Sequence, residues 1–277
     1  MEKSALLLPG GGMRNAYISG LLSGLSIQPS QFDFVFACSS AAETAAFFIA
    51  NQIALTGRIW IDELTSPNVF SYRRMLRGMR PADIDYVVEH CCRALNREAL
   101  LASPTKLIVS IFNLHKGKTE FVVLTSDNFT RVMKATCAFP MLAPSVDFGN
   151  GNIYVDGGVE EIFAFDEAYR VGCRKFLVLM NWPLESVIES YHALASFVAF
   201  PWSPEARRAL RNRAERIQRT LVFIRRPPPD VLLEFLAPPA HLPADRFCRD
   251  RQLVQQTYAV GFTQGEQEHK RIHEFLS

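Results

Sequence analysis

Twice near its start the chain repeats one unit: a short apolar run stops at a cluster of small residues, and a helical pattern follows. Residues 5–8, Ala-Leu-Leu-Leu, run into Pro9, Gly10, Gly11 and Gly12, after which Ala16, Ile18, Leu21, Leu22 and Leu25 recur at helical spacing. Residues 32–38, FDFVFAC, are aromatic and β-branched and give way at once to the helix formers of SSAAETAAFFIANQ. Strands that turn straight into helices build a largely parallel sheet covered by those helices. The alternation continues. Residues 83–101 predict a helix with Asp83 as its cap, and KLIVSIFNL, TEFVVLT and NIYVDGG predict strands. FDEAYRVG predicts a helix leading into the strand KFLVLMNW. The expectation is an α/β layered fold with a mostly parallel central sheet flanked by helices.

After Trp182 the composition shifts. Residues 205–226 hold eight Arg against two Glu, and Pro227, Pro228 and Pro229 follow. The segment is still apolar at LVFI and VLLEFL, so residues 183–277 are expected to pack as an extension on a core of residues 1–182, within one domain over 1–277. Apolar residues make up 48% of the 277, ample for such a core. A net charge of +2 is too even for a nucleic-acid binder defined by bulk charge. No apolar run is long enough for a signal peptide or a membrane span, since Asn51 and Gln52 interrupt AAFFIANQIAL. The six Cys show no CxxC pair and fit reduced thiols in a cytoplasmic protein. His269 and His273 have metal-ligand spacing, but with no completing motif they are expected to lie on a solvated helix face, and no metal site is expected.

Three places carry chemistry. The turn Gly10-Gly11-Gly12, with Arg14 behind it, exposes backbone N–H groups at a helix start, which suits an anion. A dinucleotide fingerprint fails because Asn15 stands at its sixth place, and no triphosphate loop is present. The second place is Ala37-Cys38-Ser39-Ser40-Ala41-Ala42, a serine on a sharp strand-to-helix turn. Either Ser39 or Ser40 could be the nucleophile there. Ser39, flanked at the small positions by Ala37 and Ala41, is preferred. The third is Asp156-Gly157-Gly158 at the end of a strand, where a carboxylate could take a serine's proton.

These pieces in this order resemble the patatin-like phospholipases, which have a GGGxR turn, then a GxSxG elbow, then a DG followed by Gly or Ala. The likeness extends to ANQIALTGRIWI, VFSYRRMLRG with DIDYV, KATCAFPMLAPSV ahead of IYVDGG, and the tail through TYAVG. It therefore covers nearly the whole chain. The resemblance implies a patatin-like three-layer fold and a serine lipid acyl hydrolase, acting on a phospholipid or other lipid ester with neither metal nor organic cofactor. It places the nucleophile on Ser39, the base on Asp156 and the oxyanion turn on Gly10, Gly11, Gly12 and Arg14. Departures from the pattern are Asn15 for Gly, Ala37 and Ala41 for the elbow glycines, and Glu160, Glu161, Ile162 and Phe163 where a proline-containing run is usual.

Two other readings stay open. One is a Ser-Asp-His esterase drawing on His192 or His241; the other is a catalytically weakened member that binds an anion or a lipid. Finally, Ala206, Leu210, Ala214, Ile217 and Leu221 form a helical apolar stripe, which turns the arginines of that stretch outward. Arg207, Arg208 and Arg211 are expected to meet lipid, giving a cytoplasmic protein with peripheral contact to anionic membrane.

Overall fold

Alternate residues of the first strand feed two different cores. The computed structural model describes residues 2–149, 151–186 and 191–277, with the side chain of Cys91 outside that set. β1 (Lys3–Leu8) lies between β2 (Phe34–Cys38) and β7 (Cys173–Leu179), parallel to both. β3 (Lys106–Asn113) continues the sheet parallel to β2, and β8 (Leu232–Leu236) closes its far edge parallel to β7. Three antiparallel strands gather around β3, namely β4 (Lys118–Val123), β5 (Val146–Asp147) and β6 (Ile153–Asp156).

Six of the helices cover the sheet or shape the site: α1 (Asn15–Leu25), α2 (Ala41–Ile49), α3 (Phe129–Cys137), α4 (Phe165–Arg170), α5 (Pro204–Arg225) and α6 (Arg251–Leu276). Leu6, Leu8, Val35 and Ala37 pack into the core beneath α1, α2, α3 and α6. Ala5, Leu7 and Phe36 pack on the other face with Phe165 of α4 and Ile217, Leu221 and Ile224 of α5. A strand covered on both faces reads as continuous apolar sequence, which explains the uninterrupted run at residues 5–8. The fold is the three-layer α/β arrangement with a mostly parallel sheet that the alternation predicts.

The predicted helix over residues 83–101 is two helices. Asp83 does cap the first, its Oδ1 accepting from Tyr86 N at 3.0 Å, but Ile84–His90 ends in a 3-10 turn over Cys91–Ala94. Asn96 then starts a second helix, Arg97–Ala102, by accepting from Ala99 N at 3.0 Å. An Asn side chain that bonds a nearby backbone N–H competes with continuing a helix, so the periodicity carries across a break it does not reveal.

The segment after Trp182 joins the same sheet and core. α5 crosses over between β7 and β8, and α6 lies along α1. There the helices touch backbone to backbone: a Cβ on Gly261 would lie 2.1 Å from Tyr17 O, and one on Gly20 would lie 2.1 Å from Tyr258 O. His269 Nδ1 and His273 Nε2 approach Leu25 O at the end of α1, at 2.8 and 3.2 Å.

Candidate active site

The site forms where two strands meet head to head along one edge of β3. β2 runs parallel to β3 and ends with Cys38 opposite Ser110. β6 runs antiparallel to β3 and ends with Asp156 opposite Ile111, the next register position. The chain leaving β2 therefore starts its turn beside the carboxyl that ends β6. Ser39 Oγ donates to Asp156 Oδ2 at 2.6 Å.

Ser39 holds φ at +55°, the left-handed region that a non-glycine residue enters at a cost of roughly 1 kcal/mol or more. Neighbouring groups hold it there. Ser39 N donates to Thr136 Oγ1 at 2.7 Å, and Thr136 Oγ1 donates to Ser110 O at 3.0 Å. Asp156 is fixed by its N–H, which donates to Ala138 O at 3.1 Å, and by Gly158 N, which donates to its Oδ1 at 2.7 Å. Burial pushes the Asp156 carboxyl up to about 6, against the pull of the bonds from Ser39 and Gly158 and the charge of Arg213. A carboxylate at the margin of ionisation, bonded to a hydroxyl on a strained turn, is equipped to take that hydroxyl's proton.

The glycine turn lies against this pair. Gly10, Gly11 and Gly12 border the same cavity as Ser39. Gly12 has φ +59°, and a Cβ there would sit 2.2 Å from Arg246 O, so no other residue fits. Arg14 does not line the cavity; its Nε donates to Gly11 O at 3.4 Å and its guanidinium lies over the Trp182 ring, bracing the turn. Asn15 ties the turn to the elbow. Its side-chain amide lies 2.6 Å from Asn181 Nδ2 and 2.7 Å from Ser40 Oγ, and Ser40 Oγ lies 3.1 Å from Gly12 O. The hydroxyl of Ser40 is thus spent on structure, while that of Ser39 faces Asp156.

The cavity itself measures about 1070 Å³, counted out to its open mouth. Its wall is largely apolar, with Trp60, Leu64, Val69, Ile84, Phe139 and Leu142 prominent. No histidine is among the described residues that line it, so neither His192 nor His241 reaches Ser39. The usual proline run after Asp156 is replaced by an anchored turn. Thr119 N donates to Glu160 Oε2 at 2.7 Å, Arg216 pairs with Glu160 Oε1 at 2.9 Å, and Ile162 joins the cavity wall.

A family model described as Patatin-like phospholipase matches residues 6–169, more than half of the chain. The chain belongs to the patatin-like phospholipase family. A second model, described as a domain of unknown function (DUF6363), matches residues 203–277. Among curated proteins the chain is similar to Uncharacterized protein YjjU of Escherichia coli (strain K12), 25% identical over 185 residues, which is 65% of this chain and 52% of the relative. The match thus spans about half the length of that relative. Among solved structures it is similar to VipD from Legionella pneumophila, at 12% identity and a TM-score of 0.46, over 98% of this chain and 67% of that one.

Three groups at this patatin-like site escape a reading by motif. Arg213 is one of the α5 arginines expected to face outward, yet it is only 7% exposed, lines the cavity, and donates from Nε to Gly158 O at 2.6 Å. The signal was available: Arg213 follows Leu210 by three and precedes Ile217 by four, so it falls on the apolar stripe. Arg246 lines the cavity from an irregular loop, where no periodicity marks it. Glu43 lines it as the lone acid of the α2 run AAETAAFFI. The arginines expected to meet lipid lie elsewhere, at the start of α5. Arg207 Nη1 donates to Phe200 O and Pro201 O at 2.9 and 2.8 Å, while Arg208 and Arg211 form no ion pair among the described residues.

Proposed function

We propose that this protein is a serine lipid acyl hydrolase that cleaves carboxylic esters through Ser39 and Asp156. The observation that carries the proposal is the 2.6 Å bond from Ser39 Oγ to Asp156 Oδ2 in the wall of a largely apolar cavity. Asp156 takes the Ser39 proton as Oγ attacks the ester carbonyl. Backbone N–H groups of the Gly10–Gly12 turn stabilise the oxyanion, each donor contributing about 3 kcal/mol in well-built sites. The alcohol leaves with the proton from Asp156, and a water activated by the same carboxylate releases the acyl group.

The cationic side of the cavity supports a substrate with an anionic head group. Behind the cavity, burial first, then the charges of the lining residues Arg246 and Arg213, hold the Arg14 guanidinium down to about 10. Burial and Arg246 also lower Arg213. Like charges gathered at this cost are relieved by a bound anion such as a phosphodiester. Both Arg213 and Arg246 come from the 203–277 segment, which would give that segment a part in head-group recognition.

The experiment is turnover of phospholipid and neutral lipid esters, with fluorophosphonate labelling, for the wild type beside Ser39→Ala and Ser40→Ala. Ser39→Ala should abolish labelling and turnover, and Ser40→Ala should keep a measurable part of both. A Ser39→Ala protein that is still labelled at wild-type rate, or a wild type that turns over no ester, would overturn the reading.

A further inference from the structure

One group in the apolar wall of the cavity is out of keeping with its neighbours. Glu43 lies on α2, four residues beyond Ser39, and its side chain is 4% exposed. Its Oε1 has no hydrogen-bond partner among the described residues. The ionisable groups around it are Glu63, which pairs with Arg58 at 3.1 Å, and the thiols Cys92 and Cys137. Arg97, which acts on Cys92, lies over the Phe129 ring at 4.3 Å. Burial, then the charge of Glu63, push the Glu43 carboxyl up to about 8, so at neutral pH it is an acid with one O–H to give and one oxygen to accept.

A buried polar group without a partner is costly, and interiors rarely keep one. Glu43 borders the cavity, where a partner can arrive, and Trp60, Leu64 and Val87 of the same wall suit a hydrocarbon chain. We propose that Glu43 is a specificity determinant that hydrogen-bonds a hydroxyl on the acyl chain, so that the cavity selects hydroxyacyl esters over plain acyl esters. The inference rests on the reading that the cavity holds the acyl group. Glu43 lies on the helix that follows the Ser39 elbow and borders the same cavity, so the hydroxyl it meets lies along the acyl chain rather than at the ester carbonyl. Selection works mainly by penalty. A plain chain covers the carboxyl and leaves it unpaired, whereas the hydroxyl satisfies it.

The test uses binding rather than turnover, so that it is independent of the hydrolase reading. In the Ser39→Ala protein, calorimetry compares methyl decanoate with the series of its mono-hydroxy isomers. At least one isomer should bind about tenfold tighter than the parent, the effect of about one hydrogen bond. Glu43→Leu in that background should reduce the advantage to less than about twofold. Glu43→Gln, which keeps a donor and an acceptor, should preserve it and keeps the test decisive if the Leu variant does not fold. No isomer preference, no binding of any ester, or a preference that survives Glu43→Leu would overturn the inference. Failure of the wild type to hydrolyse esters would instead sink the hydrolase reading and leave this comparison to stand on its own.

Discussion

Asp156, the proposed base, sits in a place that disfavours its charge. The folded carboxyl sits at about 6 against an ordinary value of 3.8, chiefly because it is buried. A base must be ionised, so kcat/KM should fall below about pH 6, approaching tenfold per pH unit, and level off above it. Asp156→Asn should lower turnover by roughly 10²- to 10⁴-fold. Its effect on stability has the opposite sign. A raised carboxyl binds its proton more tightly in the folded state, and that contribution is full below pH 3.8 and lost as pH rises through about 6. Asparagine carries no such charge, so the melting temperature of Asp156→Asn minus that of the wild type should grow between pH 4 and 7. Melting curves that differ by a constant amount across that range would contradict this. Ser39, Asp156 and the glycines were legible in sequence because each sits at a break in periodicity, where a residue type has few reasons to occur. Arg213 and Glu43 were not, because each sits inside a helix whose pattern assigns its neighbours to the core and says nothing of a cavity within it.

At the scale of elements, the least legible contact is the one between α1 and α6. Both helices show ordinary periodicity, but nothing local states that Gly20 and Gly24 of one meet Gly261 and Gly265 of the other, some 240 positions away. The contact follows from close approach: a Cβ on Gly265 would lie 2.5 Å from Leu21 O. Gly261→Ala must therefore separate two backbones, since no flexible side chain is there to yield. Overpacking of this kind costs about 1–3 kcal/mol, and for a chain of this size each kcal/mol lowers Tm by about 2–4 °C. Because α1 begins directly after the glycine turn, part of the displacement should reach Gly12 and lower turnover as well. A Gly261→Ala protein with wild-type Tm would show that the helices are held apart from each other in solution. The strands and most helices were readable because a sheet covered on both faces writes its burial into consecutive residues. The break at Asn96 was not, because it depends on one side chain choosing a backbone partner.

For the molecule as a whole, the proposed action on lipid esters asks for a surface that can meet a bilayer. Among the described residues no helix is long and apolar enough to cross a membrane. The chain offers instead a patch on the helix Ala193–Ala199 and just beyond, where Leu194, Phe197, Val198 and Trp202 are exposed, Trp202 at 94%. The helix follows Tyr191, whose hydroxyl accepts from Arg246 of the cavity wall at 3.2 Å. The charge beside it is smaller than the count of arginines suggests. Arg207 lies 5.2 Å from the Phe197 ring and is bonded to backbone, Arg216 pairs with Glu160, and Arg219 pairs with Glu215. Arg225 pairs with Glu185, and Arg208, Arg211 and Arg226 form no ion pair among the described residues; of these, Arg208 and Arg211 lie at the start of α5, next to the patch in sequence, and can reach a head group at about 1 kcal/mol each near an anionic surface. Insertion of Trp202 and its neighbours into the head-group layer should then supply most of the binding, as interfacial aromatic residues do. In vesicle co-sedimentation, Trp202→Ala with Phe197→Ala should lose most of the binding at every salt concentration. Arg208→Glu with Arg211→Glu should remove only the fraction that high salt removes from the wild type, because salt screens charge and leaves apolar insertion intact. Wild-type levels of sedimentation by the Trp202 and Phe197 double variant would place the contact on another face of the molecule.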